Sequence, residues 1–247
     1  MAGELPYRAV TFDFWNTLVV ETTEPVDTRR RLWLETLADA GHDVTEDRLG
    51  EAFKHSWGRF DERWKANEQS TAEVMARDAV EHLDLGLEGA VADRLVEAYL
   101  EASLLTPRVL VEGVEETFDR LRGLGLGVGI ISDIGAVPSS QIRRWLDEMG
   151  VQHLVTHFSF SDEVGVFKPH GRIFEHALDG LGVDDAAAVA HVGDLRRTDV
   201  AGANEAGMTS VQFVGGREDP HDNDPASATP DHVIAEHLEL LHVLGLI

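Results

Sequence analysis

The sequence predicts an α/β protein: a doubly wound parallel sheet interrupted by a smaller all-helical domain. Three observations predict it. From residue 108 onward, short apolar runs alternate with amphipathic helical stretches, the pattern of a parallel sheet covered on both faces. A lone apolar run at 7–13 supplies one more strand. Between them, from about 20 to 107, the apolar residues recur at helical spacing with few strand-like runs, as in a small bundle. The expected boundaries are therefore 1–19 and 108–247 for the α/β core and 20–107 for the helical domain.

The elements follow in order. Val10 and Phe12 suit a buried strand that ends in Asp13. Phe14–Val20 leads into a turn-like stretch at 21–25. Leu32, Trp33, Leu37 and Ala40 share a helical face, and Gly41 stops that helix. Thr45 and Thr71 each open a helix. The first carries Leu49, Ala52 and Phe53, and its Trp57, Phe60 and Trp64 also fit a core stripe. The second carries Val74, Met75, Ala79 and Leu83, and a fourth helix spans 88–105. Then come a helix at 114–124, a strand at 127–132, and a helix from Pro138, a residue favoured in a first turn. A weak strand at 157–160 and a helix at 172–181 follow. Strands at 187–193 and 209–214 bracket a helix at 199–206. A polar, acidic loop over 215–230 precedes a short strand at 231–234 and a closing helix to Leu246.

Composition narrows the function. Among 247 residues, 45 acidic against 21 basic side chains give a net charge of −24. Such a chain is repelled by phosphate backbones and anionic lipid, so nucleic acid and membrane surfaces are poor partners. A phosphate-bearing substrate would need local help from a cation, a helix N-terminus or a metal. There is no cysteine, which excludes disulfides, thiolate metal sites and cysteine nucleophiles. No signal-like or membrane-spanning run is present, so the expected location is the cytoplasm.

Four short motifs stand at or just beyond strand ends, where a doubly wound sheet gathers ligand-binding groups. They are Asp13-Phe14-Trp15-Asn16-Thr17, Ser132 with Asp133, Lys168-Pro169, and Gly193-Asp194 with Asp199 five residues on. Singly, each is an ordinary turn or cap. Together they carry chemistry. Asp13 can act as a nucleophile. Asp194 and Asp199 add carboxylates whose mutual repulsion a divalent cation would relieve, and oxygen ligands suit Mg²⁺. Ser132 can donate to a phosphate oxygen, and Lys168 can neutralise a phosphoryl group in transfer.

With these motifs the sequence resembles the haloacid dehalogenase superfamily of hydrolases. The helical insertion after the first motif looks like that family's helical cap, which would cover the site and set substrate choice. The resemblance implies Asp13 as nucleophile, with Ser132 and Lys168 in the catalytic machinery. It implies Thr17, Ser132, Asp133 and Lys168 around the substrate phosphoryl group. It implies Mg²⁺ held by Asp13, the Trp15 carbonyl and Asp194, with Asp199 supporting that site or binding through water. The small-molecule substrate would be a phosphate ester.

One position departs from the pattern. The family's phosphatases carry a second aspartate where this chain has Trp15, and indole is neither acid nor base. Losing a general acid typically costs ~10²–10⁴ in rate. A phosphatase with a substitute acid or an acidic leaving group, a metal-free 2-haloacid dehalogenase, and an inactive binding protein all accommodate Trp15. The Asp194/Asp199 pair favours the phosphatase. The family's phosphonate-cleaving branch would need a cap lysine such as Lys54 or Lys65, and both look solvated. Arg59 and Arg63 could receive an anionic substrate group but fit better as partners of nearby acids. Arg196 and Arg197 lie between the fourth-motif aspartates and could offset their charge or reach a substrate. His170 could serve as a substitute acid. His191 reads as a packed strand residue, and His221, His232, His237 and His242 are too scattered for a metal cluster.

Overall fold

The computed structural model describes residues 5–23, 25–216 and 228–247. Most of the predicted 215–230 loop, with His221, lies outside the described residues.

The strands of the main sheet are β1 (Ala9–Phe12), β4 (Gly127–Ser132), β5 (His157–Phe160), β6 (Val189–Gly193), β7 (Thr209–Phe213) and β8 (His232–Ile234). They form one parallel sheet in the order β5-β4-β1-β6-β7-β8. Every residue of β1 and β6 is buried, as a strand covered on both faces requires. Phe12 lies in register with Ile130 on one side and Val192 on the other. Strand order reverses around β1, so the ends of β1, β4 and β6 open a crevice where such sheets place their ligands.

The helices of this unit are α5 (Val114–Gly123), α6 (Ser139–Glu148) from residue 143 onward, α7 (Ser161–Val164), α8 (Gly171–Leu181), α9 (Ala201–Ala206) and α10 (Glu239–Val243). The apolar face of α8, Ile173, Phe174 and Ala177, packs with Ala9, Ile131 and Val189 of the sheet. Residues 196–200 form a wide turn that leads into α9.

The helical unit contains α1 (Pro25–Asp39), α2 (Glu46–Lys65), α3 (Ala72–His82) and α4 (Ala90–Leu105). Thr45 and Thr71 cap α2 and α3, each hydroxyl accepting the third amide of its helix at 3.3 Å. The core is built from Trp33, Leu37, Leu49, Phe53, Met75, Leu95 and Tyr99. Of the aromatic residues further along α2, Phe60 is partly buried and packs against this core, whereas Trp57 is 44% exposed and Trp64 is half-buried. The expected core stripe therefore holds for Phe60 and not for Trp57. No described helix is long and apolar enough to cross a membrane.

The chain divides into two compact units, residues 1–20, 109–133 and 143–247 against 21–108 and 134–142. The second piece differs from the expected boundaries: 134–142 follows the second motif in sequence yet packs with the helices. The Ser103 hydroxyl donates to the Ala136 carbonyl at 3.3 Å, and the Phe60 ring lies 2.9 Å from where a Gly135 Cβ would stand, leaving no room for a side chain there. Two three-residue strands, β2 (Val19–Glu21) and β3 (Arg108–Leu110), pair separately where the chain passes from one unit to the other.

Candidate active site

The ladder between β1 and β6 continues one residue past β1: the Asp13 amide donates to the Val192 carbonyl at 2.8 Å. This fixes Asp13 at the crevice. After it the chain folds tightly back. Phe14 O accepts from Leu18 N (2.9 Å) and Val19 N (3.1 Å), and Asn16 adopts a left-handed φ of 58°. Asparagine tolerates that conformation better than most residues.

Lys168 is buried, and its ammonium spends its donors on three acceptors. They are Asp13 Oδ1 at 2.6 Å, Asp199 Oδ1 at 2.6 Å and the Ile131 carbonyl at 3.0 Å. Its backbone amide donates to Asp133 Oδ1 at 2.8 Å, so the carboxylate after β4 anchors the lysine segment. Burial alone would push Lys168 down, but Asp13, Asp199 and Asp133 together outweigh it and hold the ammonium charged.

Asp199 is fully engaged. Besides Lys168, Oδ1 meets His191 Nε2 at 3.1 Å, while Oδ2 accepts from Leu195 N at 3.0 Å and contacts Thr198 Oγ1 at 3.5 Å. Burial opposes its ionisation, yet the Lys168 charge and the His191 hydrogen bond bring its pKa below the usual carboxylate range. A Cβ on Gly193 would stand 2.2 Å from Asp199 Cγ, so only glycine at the end of β6 lets Asp199 approach. His191 extends the chain inward, its Nδ1 2.9 Å from Thr11 Oγ1. Since Nε2 faces a carboxylate, Nε2 carries the proton and Nδ1 accepts.

Asp13 and Asp194 behave differently. Burial pushes Asp13 up to about 7, with Lys168 opposing and Asp199 adding to the rise. Burial likewise raises Asp194 to about 9, and the charges of Asp13 and Asp199 add to it. Among the described residues Asp194 has no ion-pair partner. The Trp15 carbonyl accepts no hydrogen bond among them either. A half-buried carboxylate without a direct ion pair, on which the Lys168 charge acts only at longer range, a neighbouring Asp13 carboxylate and an unclaimed carbonyl are the donor set of a hard cation. Among the described residues no three His, Asp or Glu side chains gather as a metal cluster, so such a site relies on backbone oxygen and water as well.

The structure thus joins Asp13, Lys168 and Asp199 directly and Asp133 through the Lys168 backbone. Ser132 is fully buried at the end of β4, and its hydroxyl lies 3.4 Å from the Asp133 carbonyl. Thr17 is also buried, with Oγ1 unpartnered. Trp15 sets its indole edge-on to Phe14 (4.9 Å) and Trp145 (6.1 Å). His170 is exposed and caps α8, its Nδ1 accepting from Arg172 N at 3.2 Å. Arg63 is taken by Asp78 of α3 at 2.5 and 3.0 Å, rather than by Asp61 or Glu62, and Lys65 pairs with Asp61 at 2.5 Å. Sequence reasoning missed His191 as a site residue. The available signal was a histidine inside an otherwise apolar strand, two residues before Gly193.

Two buried histidines bear on stability. Burial lowers the pKa of both His191 and His237, outweighing the hydrogen bonds that would raise it. The unfolded chain takes up protons near pH 6.5 while the folded chain refuses them. The contribution of each histidine is therefore complete above about pH 6.5 and is lost as the pH drops below it, by at most about 1.4 kcal/mol per pH unit, while the raised carboxyls of Asp13 and Asp194 act in the opposite direction. Denaturant melts of the wild type and His237→Gln between pH 7 and pH 5 check this: the stability difference is expected to move in the variant's favour as the pH falls.

The geometry agrees with what the chain is similar to. Residues 7–207 match the model of the haloacid dehalogenase-like hydrolases. Over 96% of its length and 97% of the relative's, the chain is 28% identical to a glyceraldehyde 3-phosphate phosphatase of Methanopyrus kandleri. A solved structure of a HAD phosphatase from Thermococcus onnurineus aligns at a TM-score of 0.66 and 25% identity, covering 96% of this chain and 98% of the other. A 2-haloacid dehalogenase from Pseudomonas syringae pv. Tomato DC3000 shares the fold, with a TM-score of 0.69 at 22% identity over 97% and 99% of the two chains. The chain belongs to the haloacid dehalogenase-like hydrolase family.

Proposed function

We propose that the chain is a Mg²⁺-dependent phosphatase of a small phosphorylated metabolite, with Asp13 as nucleophile. The observation that carries this reading is the Lys168 bridge. It orients one Asp13 oxygen at 2.6 Å and leaves the other to attack. The full-length similarity to a glyceraldehyde 3-phosphate phosphatase supports a phosphate ester as substrate class.

Asp13 Oδ2 attacks phosphorus, the bond to the leaving oxygen breaks, and that oxygen takes the electron pair. Water then cleaves the aspartyl phosphate and frees Asp13. Lys168 holds Asp13 in place and offsets negative charge on the phosphoryl oxygens. Ser132 donates to one of those oxygens. Asp13, Asp194 and the Trp15 carbonyl would hold the cation, which when bound supplies positive charge against the phosphoryl group. Asp199 is reassigned: with both oxygens given to protein donors, it positions Lys168 instead of ligating metal. Asp133 likewise positions the lysine segment.

Turnover of a panel of phosphate esters and 2-haloacids, with Mg²⁺ or with EDTA, tests the reading. Phosphate release that needs Mg²⁺ and is lost in Asp13→Asn is expected. The absence of an acid at Trp15 favours one competing reading, dehalogenation, since a halide departs unprotonated. Halide release that survives EDTA would replace the phosphatase.

A further inference from the structure

We propose that His237 is a positioning residue that holds the nucleophile loop in its working shape; this rests on the phosphatase reading only for what that loop does. His237 lies beyond the residues that match the family model, in the segment between β8 and α10.

Consider where the carbonyls of the loop after Asp13 find donors. Phe14 O takes Leu18 N and Val19 N, Val19 O takes Asn16 N, and Leu18 O takes Val111 N at 2.9 Å. The Thr17 carbonyl has a side-chain donor from 220 residues away: His237 Nε2, at 2.7 Å. It is the shortest of these bonds, and both residues are 0% exposed. A ring nitrogen facing a carbonyl must carry the proton, so His237 presents Nε2–H.

Packing fixes the ring that makes the bond. It stacks on Phe213 of β7 at 4.6 Å and lies tilted against Phe12 of β1 at 6.1 Å. Its Cβ lies 3.4 Å from where a Gly113 Cβ would stand, ahead of α5. The donor is thus located by two strands of the sheet and a helix start.

The same ring leaves Nδ1 buried without a partner. An apolar ring would avoid that orphan and fill the same space, but it would strand the Thr17 carbonyl. The chain keeps the orphan and the bond. Thr17 lies two residues past Trp15 and four past Asp13, inside a turn closed by a left-handed residue, so its carbonyl controls where both groups point. A displacement of about 1 Å at a reacting group can cost ~10²-fold in rate.

The test compares His237→Phe, which keeps the stacked ring and deletes the donor, with His237→Gln, whose Nε2–H can reach the same carbonyl. His237→Phe is expected to lower kcat for phosphate release about 10- to 100-fold with KM changed far less. It should also speed hydrogen exchange at the Asn16 and Leu18 amides. His237→Gln should restore most of both. A phenylalanine variant with wild-type kcat and exchange overturns the proposal, whatever its Tm. So does a glutamine variant that is stable but as slow as the phenylalanine one. If His237→Phe does not fold, His237→Asn, whose shorter amide falls short of Thr17, takes its place with the same two readouts. If the wild type releases phosphate from no ester, the phosphatase reading fails by itself, and the exchange comparison still decides the role of His237.

Discussion

Replacing Lys168 with methionine is expected to abolish turnover and to destabilise the protein at neutral pH by about 3–5 kcal/mol, the usual cost of stranding a buried charge. The side chain is 2% exposed and joins two carboxylates that are 9% and 1% exposed. Methionine fills a similar volume but leaves Asp13, Asp199 and the Ile131 carbonyl without their donor. The pH dependence separates this loss from a simple packing defect. Without the ammonium, Asp13, already raised, rises further and Asp199 loses the charge that holds it low, so the folded variant holds protons that the unfolded chain releases. Stability of the variant then falls as pH rises, and its deficit against wild type shrinks toward pH 5. Denaturant melts of the two proteins over pH 5–8 measure it. A constant deficit would mean that Lys168 acts through packing alone.

The second large effect is expected at Trp15. Its indole can neither give nor take a proton, so a leaving oxygen departs with its charge. Trp15→Asp places a carboxyl where that proton is needed and should raise kcat/KM for alkyl phosphates by about 10²-fold, the lower range of general acid catalysis. Aryl phosphates leave as stable anions and should gain little. In the wild type, kcat/KM should therefore depend steeply on leaving-group acidity, and the variant should flatten that dependence. The substitution also removes the edge-on contacts with Phe14 and Trp145, a cost of about 0.5–1.5 kcal/mol each that leaves the chain folded. A leaving-group series across both proteins measures it. Equal slopes would show that protonation at this position plays no part.

Much of this architecture is legible in the sequence because its signals are local. The runs around Val10 and Phe12 and at 127–132 mark buried strands, and Thr45 and Thr71 mark helix starts by their side-chain chemistry. Asp13, Ser132 and Asp194 are legible because each stands at or just past a strand end; Lys168 is legible from its motif, although the structure separates it from β5 by α7 rather than placing it at the strand end. What escapes the sequence depends on partners distant in the chain. Asp199 reads as a cation ligand by its spacing from Asp194, yet its partners are Lys168, 31 residues back, and His191. Residues 134–142 follow a core strand but are claimed by Phe60 and Ser103. The aromatic residues of α2 have helical spacing, and spacing alone cannot tell that Phe60 packs against the bundle while Trp57 is left 44% exposed. Strands β2 and β3 are three residues each, too short for any alternation to show. His237 makes its bond to a main-chain carbonyl, which leaves no trace in residue identity.

The central claim is that Asp13 accepts a phosphoryl group. Acid-quenched enzyme, mixed with Mg²⁺ and a turned-over phosphate ester and then digested, can be read by mass spectrometry. The account predicts a phosphoryl adduct on the peptide that contains Asp13, absent from Asp13→Asn and absent with EDTA. Phosphate release with no adduct at any quench time, or an adduct on another residue, would contradict it.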